Sequence, residues 1–190
     1  MIGFVLLLAV IIALTVYVVG VYNGLVNLRE NIKVSWANLD VLLKQRHDEL
    51  PKLVETCKRY MQFEQDTLEK VMRARASVNL ASQAGDVAAV GAAEQQLRAG
   101  MTRLFAVAEN YPQLKSDETF KQLQSRITAL EESIADRREL YNDQVNLNNI
   151  RVHTLPDAFI AQRFGFLPAH LLEFGSEEKR DVDVGALFRA

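Results

Sequence analysis

The chain has 190 residues, of which 49% are hydrophobic, with one cysteine and a net charge of −2. That length suits one domain, or one domain with an appendage. The apolar content excludes a disordered chain, the single cysteine excludes a disulfide scaffold, and the near-neutral charge leaves no footprint for nucleic acid.

The average hides two parts. In residues 1–22 only Gly3, Thr15 and Gly20 are not apolar, and the first charged side chain is Arg29. A run of about 20 apolar residues lets a helix cross a ~30 Å hydrocarbon layer. No Lys or Arg precedes it, and no Ala-x-Ala site follows at Val19-Gly20-Val21-Tyr22-Asn23-Gly24. An uncleaved transmembrane anchor over 1–22 therefore fits better than a cleaved signal peptide or a buried core helix. Arg29, Lys33, Lys44 and Arg46 all follow the span. The positive-inside rule then favours an outside N-terminus and a cytoplasmic body.

The body is all-α. Stretches without proline or glycine, set off by Pro51, Gly85, Pro112 and Pro156, predict four helices over about 23–47, 49–81, 87–111 and 117–153. Each carries apolar residues at alternating spacings of three and four. The first row is Leu25, Leu28, Ile32, Trp36, Leu39 and Leu43. The second runs from Leu53 and Cys57 to Val71, Ala74 and Val78. The third is Val87, Val90, Leu97, Met101, Leu104, Ala108 and Tyr111. The fourth is Phe120, Leu123, Ile127, Leu130, Ile134, Tyr141, Val145 and Val152. Such stripes suit an antiparallel four-helix bundle over 23–155 that continues directly from the anchor. Asp48 is placed to cap the second helix, with Pro51 in its first turn, and Ser116 to cap the fourth. A turn near Pro51 brings the end of the fourth helix, near His153, back to the bilayer surface. A rod continuing through Pro51 is the alternative and would invert this placement.

Residues 156–174 form a short Phe-rich helical segment containing Phe159, Phe164, Phe166 and Phe174. Its apolar side is expected to pack on the end of the bundle; lipid headgroups and a protein partner are the other readings. The charged stretch 175–190 lacks periodicity and reads as a tail.

The sequence carries no catalytic constellation, cofactor motif or metal motif. A di-iron bundle needs Glu-x-x-His pairs, but the residues three before His47, His153 and His170 are Lys44, Ile150 and Leu167. His-Glu-x-x-His, Gly-x-x-x-x-Gly-Lys, Gly-x-Gly-x-x-Gly and Gly-x-Ser-x-Gly are absent from the sequence. Cys57 lies in an apolar row and reads as a small core residue. Arg46, Glu64, Glu94, Arg137 and Asn148 interrupt the rows. They read as stripe edges with solvated heads, or more sharply as pairs between helices that fix register. Arg46-His47-Asp48, within Arg46-His47-Asp48-Glu49-Leu50-Pro51, reads as a capped helix junction and as a candidate contact site for another protein.

Several long motifs resemble the LemA family of bacterial membrane proteins. They are Tyr22-Asn23-Gly24-Leu25-Val26, Trp36-Ala37-Asn38-Leu39-Asp40-Val41, and Leu43-Lys44-Gln45-Arg46-His47-Asp48-Glu49-Leu50-Pro51. Farther on come Leu104-Phe105-Ala106-Val107-Ala108-Glu109-Asn110-Tyr111-Pro112, Arg137-Arg138 and Tyr141-Asn142. The resemblance runs along nearly the whole chain. It implies one anchor followed by a four-helix cytoplasmic bundle and assigns no catalytic residue; divergent relatives are associated with membrane organisation. The chain departs at Leu147-Asn148 and Leu155-Pro156, where the family often has Tyr-Asn and Phe-Pro, and matches again at Phe164-Gly165-Phe166.

The expectation is a non-enzymatic scaffold without a cofactor. It sits in the bacterial inner membrane through residues 1–22 and meets a protein partner or a second copy of itself. The competing expectation is a membrane-shaping or lipid-sensing protein that uses Phe159, Phe164 and Phe166.

Overall fold

The apolar rows that follow residue 22 keep the helical geometry begun by the apolar run, so nothing separates the two. In the computed structural model, which describes residues 1–173, they form one helix. This helix, α1, spans Ile2–Lys58 and holds 57 residues. It is followed by α2 (Gln65–Ala84), α3 (Val87–Ala108), the short α4 (Pro112–Ser116), α5 (Glu118–His153) and α6 (Asp157–Phe164). Among the described residues there is no strand. Phe174 and the tail expected over 175–190 lie outside the described residues.

Two boundaries differ from the sequence expectation, each for a physical reason. The turn expected between 47 and 49 is absent, and Asp48 lies inside α1 rather than capping a new helix. A proline inside a helix removes the N–H that would reach the carbonyl four residues back. For Pro51 that carbonyl belongs to His47, and Arg75 Nε on α2 donates to it at 2.8 Å. With the orphaned acceptor satisfied by a side chain, the helix continues to Lys58. The chain reverses instead between α1 and α2, where Tyr60 N and Met61 N both bond the Cys57 carbonyl. The second difference is at α5. Its cap is Asp117, whose Oδ1 accepts from Phe120 N at 3.0 Å. Ser116 instead donates to the carbonyls of Pro112 and Gln113.

The chain divides into two compact units. Unit 2 comprises Arg46–Ala129 and, among the described residues that follow, Leu172 and Glu173. Leu50, Leu53 and Cys57 of α1, Leu68 and Val71 of α2, Leu97 and Leu104 of α3, Leu114 of α4, and Phe120 and Ile127 of α5 share one buried core. Full burial of one such side chain is worth about 1.5–3 kcal/mol. Gly85 has φ of 68°, a left-handed conformation that suits glycine, and ends α2. Asp86 then caps α3 by accepting from Ala89 N at 3.0 Å.

Unit 1 comprises Met1–Gln45 and Leu130–Leu171. Here α5 runs antiparallel to α1: Trp36 meets Tyr141 with ring centroids 5.4 Å apart, while Val21 and Leu25 share a buried cluster with Val152. The end of α5 therefore lies beside residues 21–25 of α1, but not through the turn expected near Pro51: α1 continues through that residue, and the reversal after Lys58 returns the chain instead. The far end of the Arg151 side chain lies against Gly24, where a Cβ would come 2.5 Å from Nη1. Before Val21, α1 is exposed apart from the half-buried Val18. Its most apolar 18-residue window has a mean hydropathy of 3.0, and none of it is covered by the rest of the chain. This helix is long and apolar enough to cross a membrane.

Candidate interaction surfaces

The first candidate, Arg46-His47-Asp48, divides by helical geometry. Arg46 continues the inward row Leu39, Leu43, Arg46, Leu50 and Leu53, so its side chain enters unit 2. There it donates through Nη2 to Glu94 Oε2 on α3, and both side chains are 1% exposed. Arg46 therefore forms an internal tie between α1 and α3, a pair between helices of the kind that the sharper reading of the interrupted rows described. It does not face outward as a partner contact would. His47 is half-buried and Asp48 is exposed. Burial, and then the nearby Arg75 guanidinium, lower the His47 pKa from its ordinary value of 6.5, against an opposing pull from Asp48. The neighbouring Glu49 is also buried, with Lys52 Nζ at 3.3 Å and Arg126 Nη1 at 3.4 Å.

The other polar residues that interrupt the rows separate in the same way. Glu64 accepts from the Tyr111 hydroxyl at 3.5 Å. Asn148 is buried and donates to the Leu167 carbonyl at 3.2 Å. Arg137 is exposed, a stripe-edge residue with its head in solvent. Cys57 is fully buried, and burial pushes its thiol up to about 12. Almost no thiolate forms at neutral pH, in keeping with a core residue.

The second candidate is the Phe-rich segment of unit 1. Phe166 is 7% exposed and packs with Val21, Leu25, Val152, Ile160 and Ala161. Its ring lies 5.6 Å from that of Tyr22, and the Arg29 guanidinium sits 5.5 Å above its centroid. Phe164 also meets Tyr22 edge-on, with centroids 5.1 Å apart, yet remains 53% exposed. Phe159 is 70% exposed. The segment thus packs on residues 21–29 of α1 and on the end of α5, but only through part of its surface. Ala158, Ile160 and Ala161 face inward, while Phe159 and Phe164 do not.

Sequence reasoning missed the path of the chain beyond α6. Gly165, with φ of 72°, ends that helix, and the chain then runs back along α5 as an extended strap. Asn149 holds it at two points: Nδ2 donates to the Ala169 carbonyl at 2.9 Å and Oδ1 accepts from Ala169 N at 2.8 Å. Tyr141 donates to the His170 carbonyl at 3.0 Å. This satisfies backbone groups much as a neighbouring strand would. In unit 2, Leu172 is fully buried and the Glu173 carbonyl lies against Gly91 of α3. The signal available in the sequence was the row of amides Asn148-Asn149, which the apolar pattern alone leaves unexplained.

One further exposed feature lies in unit 2. Phe63, in the turn after α1, is 95% exposed. Beside that turn is a half-open cleft of about 640 Å³ lined by Val54, Lys58, Met61, Leu68 and Met72. Methionine-lined surfaces adapt readily to different partners.

Comparison with known proteins gives concordant results. A sequence model of the LemA family matches residues 35–185. Magnetosome protein MamQ 2 of Paramagnetospirillum magneticum is 24% identical over 175 residues, covering 80% of this chain and 64% of the relative. Magnetosome protein MamQ 1 of the same organism gives the same figures. Magnetosome protein MamQ of Magnetospirillum gryphiswaldense is 21% identical over 168 residues, covering 76% of this chain and 62% of the relative. The chain thus spans a little under two thirds of the length of these relatives.

Proposed function

Because this chain belongs to the LemA family, we propose that it works as a membrane-anchored helical scaffold, without catalysis of its own, at the inner face of a bacterial inner membrane. The observation that carries this reading is the first part of α1. An exposed apolar helix with a mean hydropathy of 3.0 is costly in water and favourable in lipid. Residues 1–22 are the anchor in this reading, with the N-terminus outside and the polar body in the cytoplasm, as the basic residues that follow the span favour. Of the five helices that contribute to the unit 2 core, the four longer ones, α1, α2, α3 and α5, are read as an antiparallel bundle. Such a bundle presents faces to a protein partner or to a second copy. The kinship with magnetosome proteins supports a structural role more than a chemical one.

Two measurements test this. Full-length protein is expected to stay with membranes through alkaline washing, while a chain lacking residues 1–22 is released; release of the full-length protein would sink the anchor. A photo-crosslinking residue at Phe63 is expected to capture a discrete partner or a second copy in cells. A protein that stays monomeric in mild detergent and captures nothing would sink the scaffold reading. Orientation is open to thiol labelling. The buried Cys57 gives little background, so Ser77→Cys, on the exposed side of α2, is expected to label only after the membrane is permeabilised.

A second reading, direct contact with lipid through the Phe-rich segment, is favoured by the exposure of Phe159 and Phe164.

A further inference from the structure

An amphipathic helix packed on its own protein normally turns its large apolar side chains inward and its polar ones outward. α6 departs from this. It buries Ala158, Ile160 and Ala161, and leaves two phenylalanines largely uncovered. The residues on either side continue the pattern, since Leu155 and Leu167 are both exposed. Four large apolar side chains within thirteen residues are thus exposed on and beside α6, with Phe159 and Phe164 about 140° apart around the helix; together they make an exposed apolar patch that flanks its inward face. Arg163 stands four residues after Phe159, on the same side of the helix, and is exposed.

The place of this patch decides what covers it. Tyr22 closes the apolar run, about 20 residues after its start, so it stands where a ~30 Å hydrocarbon layer would end. The Phe164 ring is 5.1 Å from the Tyr22 ring, which puts α6 at the same depth. Tyrosine and tryptophan concentrate at this boundary, where the ring is apolar and its tip is wet. Arg29 caps the Phe166 ring and lies seven residues past Tyr22, or about 10 Å along the helix, at headgroup depth. Through the Phe164–Tyr22 contact the patch adjoins the exposed apolar surface of α1.

We propose that α6 is an interfacial foot: Phe159 and Phe164, with Leu155 and Leu167, enter the headgroup–acyl boundary of the bilayer that α1 spans, and Arg163 reaches the headgroups. This rests on the reading of residues 1–22 as an anchor and adds to it a second, shallow attachment. Helices of this type lie with their apolar face buried about 5–10 Å into the boundary. Two attachments hold residues 21–25 of α1 and the end of α5 at one depth, which one spanning helix alone does not do.

The experiment uses full-length protein reconstituted in phosphatidylcholine vesicles at low protein-to-lipid ratio. Trp36 is the only tryptophan. It lies fourteen residues past Tyr22, about 21 Å farther along α1, and serves as the water-side control. The reporter is Phe159→Trp in a Trp36→Phe background. The proposal expects a blue-shifted emission from position 159. It expects strong quenching by lipids brominated near the glycerol end of the chain, weaker quenching by lipids brominated near the chain terminus, and little quenching of Trp36 by either. A red emission at position 159, quenched by aqueous iodide and not by bromolipid, would overturn the foot while leaving the anchor intact. A blue emission without bromolipid quenching that turns red on further dilution would assign the patch to a second copy and also overturn it. Protein that an alkaline wash strips from the vesicles would remove the anchor and the foot together.

Discussion

Unit 2 and unit 1 use the same kind of apolar row and end differently. In unit 2, segments of five helices close around one core, and even two charged side chains, Arg46 and Glu94, are taken inside and tied to each other. In unit 1, two helices and a short third meet along a single seam. Residues 2–17 of α1 stay exposed, and so do the outer residues of α6. The difference is one of how many faces a neighbour covers. A helix with partners on several sides buries a broad stripe, whereas one with a single partner buries a narrow one. Apolar residues beyond that stripe are stable only if another apolar medium meets them. Unit 2 thus supplies its own solvent-excluding surroundings, whereas unit 1 leaves an apolar helix surface uncovered, which the proposed anchor reading assigns to the bilayer.

The comparison is broken most sharply at Arg46. Arg46→Leu takes the guanidinium away from the buried Glu94 carboxylate and is expected to cost about 3–5 kcal/mol, while the double variant Arg46→Leu/Glu94→Leu recovers most of that loss. Denaturant unfolding of the full chain in mild detergent reads both. A single variant as stable as the parent would mean that the pair holds nothing. Next in size, Leu104→Ala in the unit 2 core is expected to cost about 2–5 kcal/mol. Leu8→Ala, on the exposed span, is expected to leave the unfolding midpoint nearly unchanged, and equal losses at the two positions would erase the distinction between the units.

A pair of glycines sharpens the comparison further. A Cβ at Gly91 would collide with the backbone carbonyl of Glu173, whereas at Gly24 it would meet the far end of the flexible Arg151 side chain. Gly91→Ala is expected to cost about 1–3 kcal/mol, as crowding of a packed site does. It should also expose the end of the strap to proteolysis. Gly24→Ala is expected to be close to neutral, since Arg151 can yield and alanine favours helix. The smallest effect concerns pH. His47 has a lowered folded pKa, so its contribution is fully present above its ordinary value of 6.5 and is lost as the pH falls below that value toward the folded one. His47→Gln is expected to flatten the decline in stability between roughly pH 7 and pH 5. Asp117 obeys the same sign in a lower window. The Phe120 N–H, and then the Tyr60 hydroxyl, hold its carboxyl below the ordinary value of 3.8, so its contribution is lost only as the pH drops beneath that value. An unchanged slope near neutrality in His47→Gln would reject the assignment.

Much of this was legible in the chain itself. The rows of α3 and α5 appear as buried residues with only Val87 and Tyr111 partly open, because a period of three and four is a local property of the helix. The apolar run of α1 was equally plain, because hydropathy needs no partner to be read. Pro51 misled. Its effect on a helix depends on whether the carbonyl it orphans finds another donor, and that donor, Arg75, comes from a different helix. At the candidate contact site the sequence placed Arg46, His47 and Asp48 side by side, but consecutive residues on a helix point in different directions. One is tied inside, one is half-covered and one is exposed. Likewise Phe159, Phe164 and Phe166 are the same residue type within eight positions. Only the docking of α6 on Val21, Leu25 and Val152 decided which ring entered the core.

The sequence by itself determined an all-helical chain, an apolar segment long enough to span a membrane, and family membership. These follow from periodicity, hydropathy and motif, which are written along one strand of covalent bonds. Tertiary structure alone decided where α1 ends, that Arg46 and Glu94 pair, that Asn149 clamps the strap, and which phenylalanines remain uncovered. Each of these depends on a group brought from far along the chain, and a linear pattern carries no distance through space.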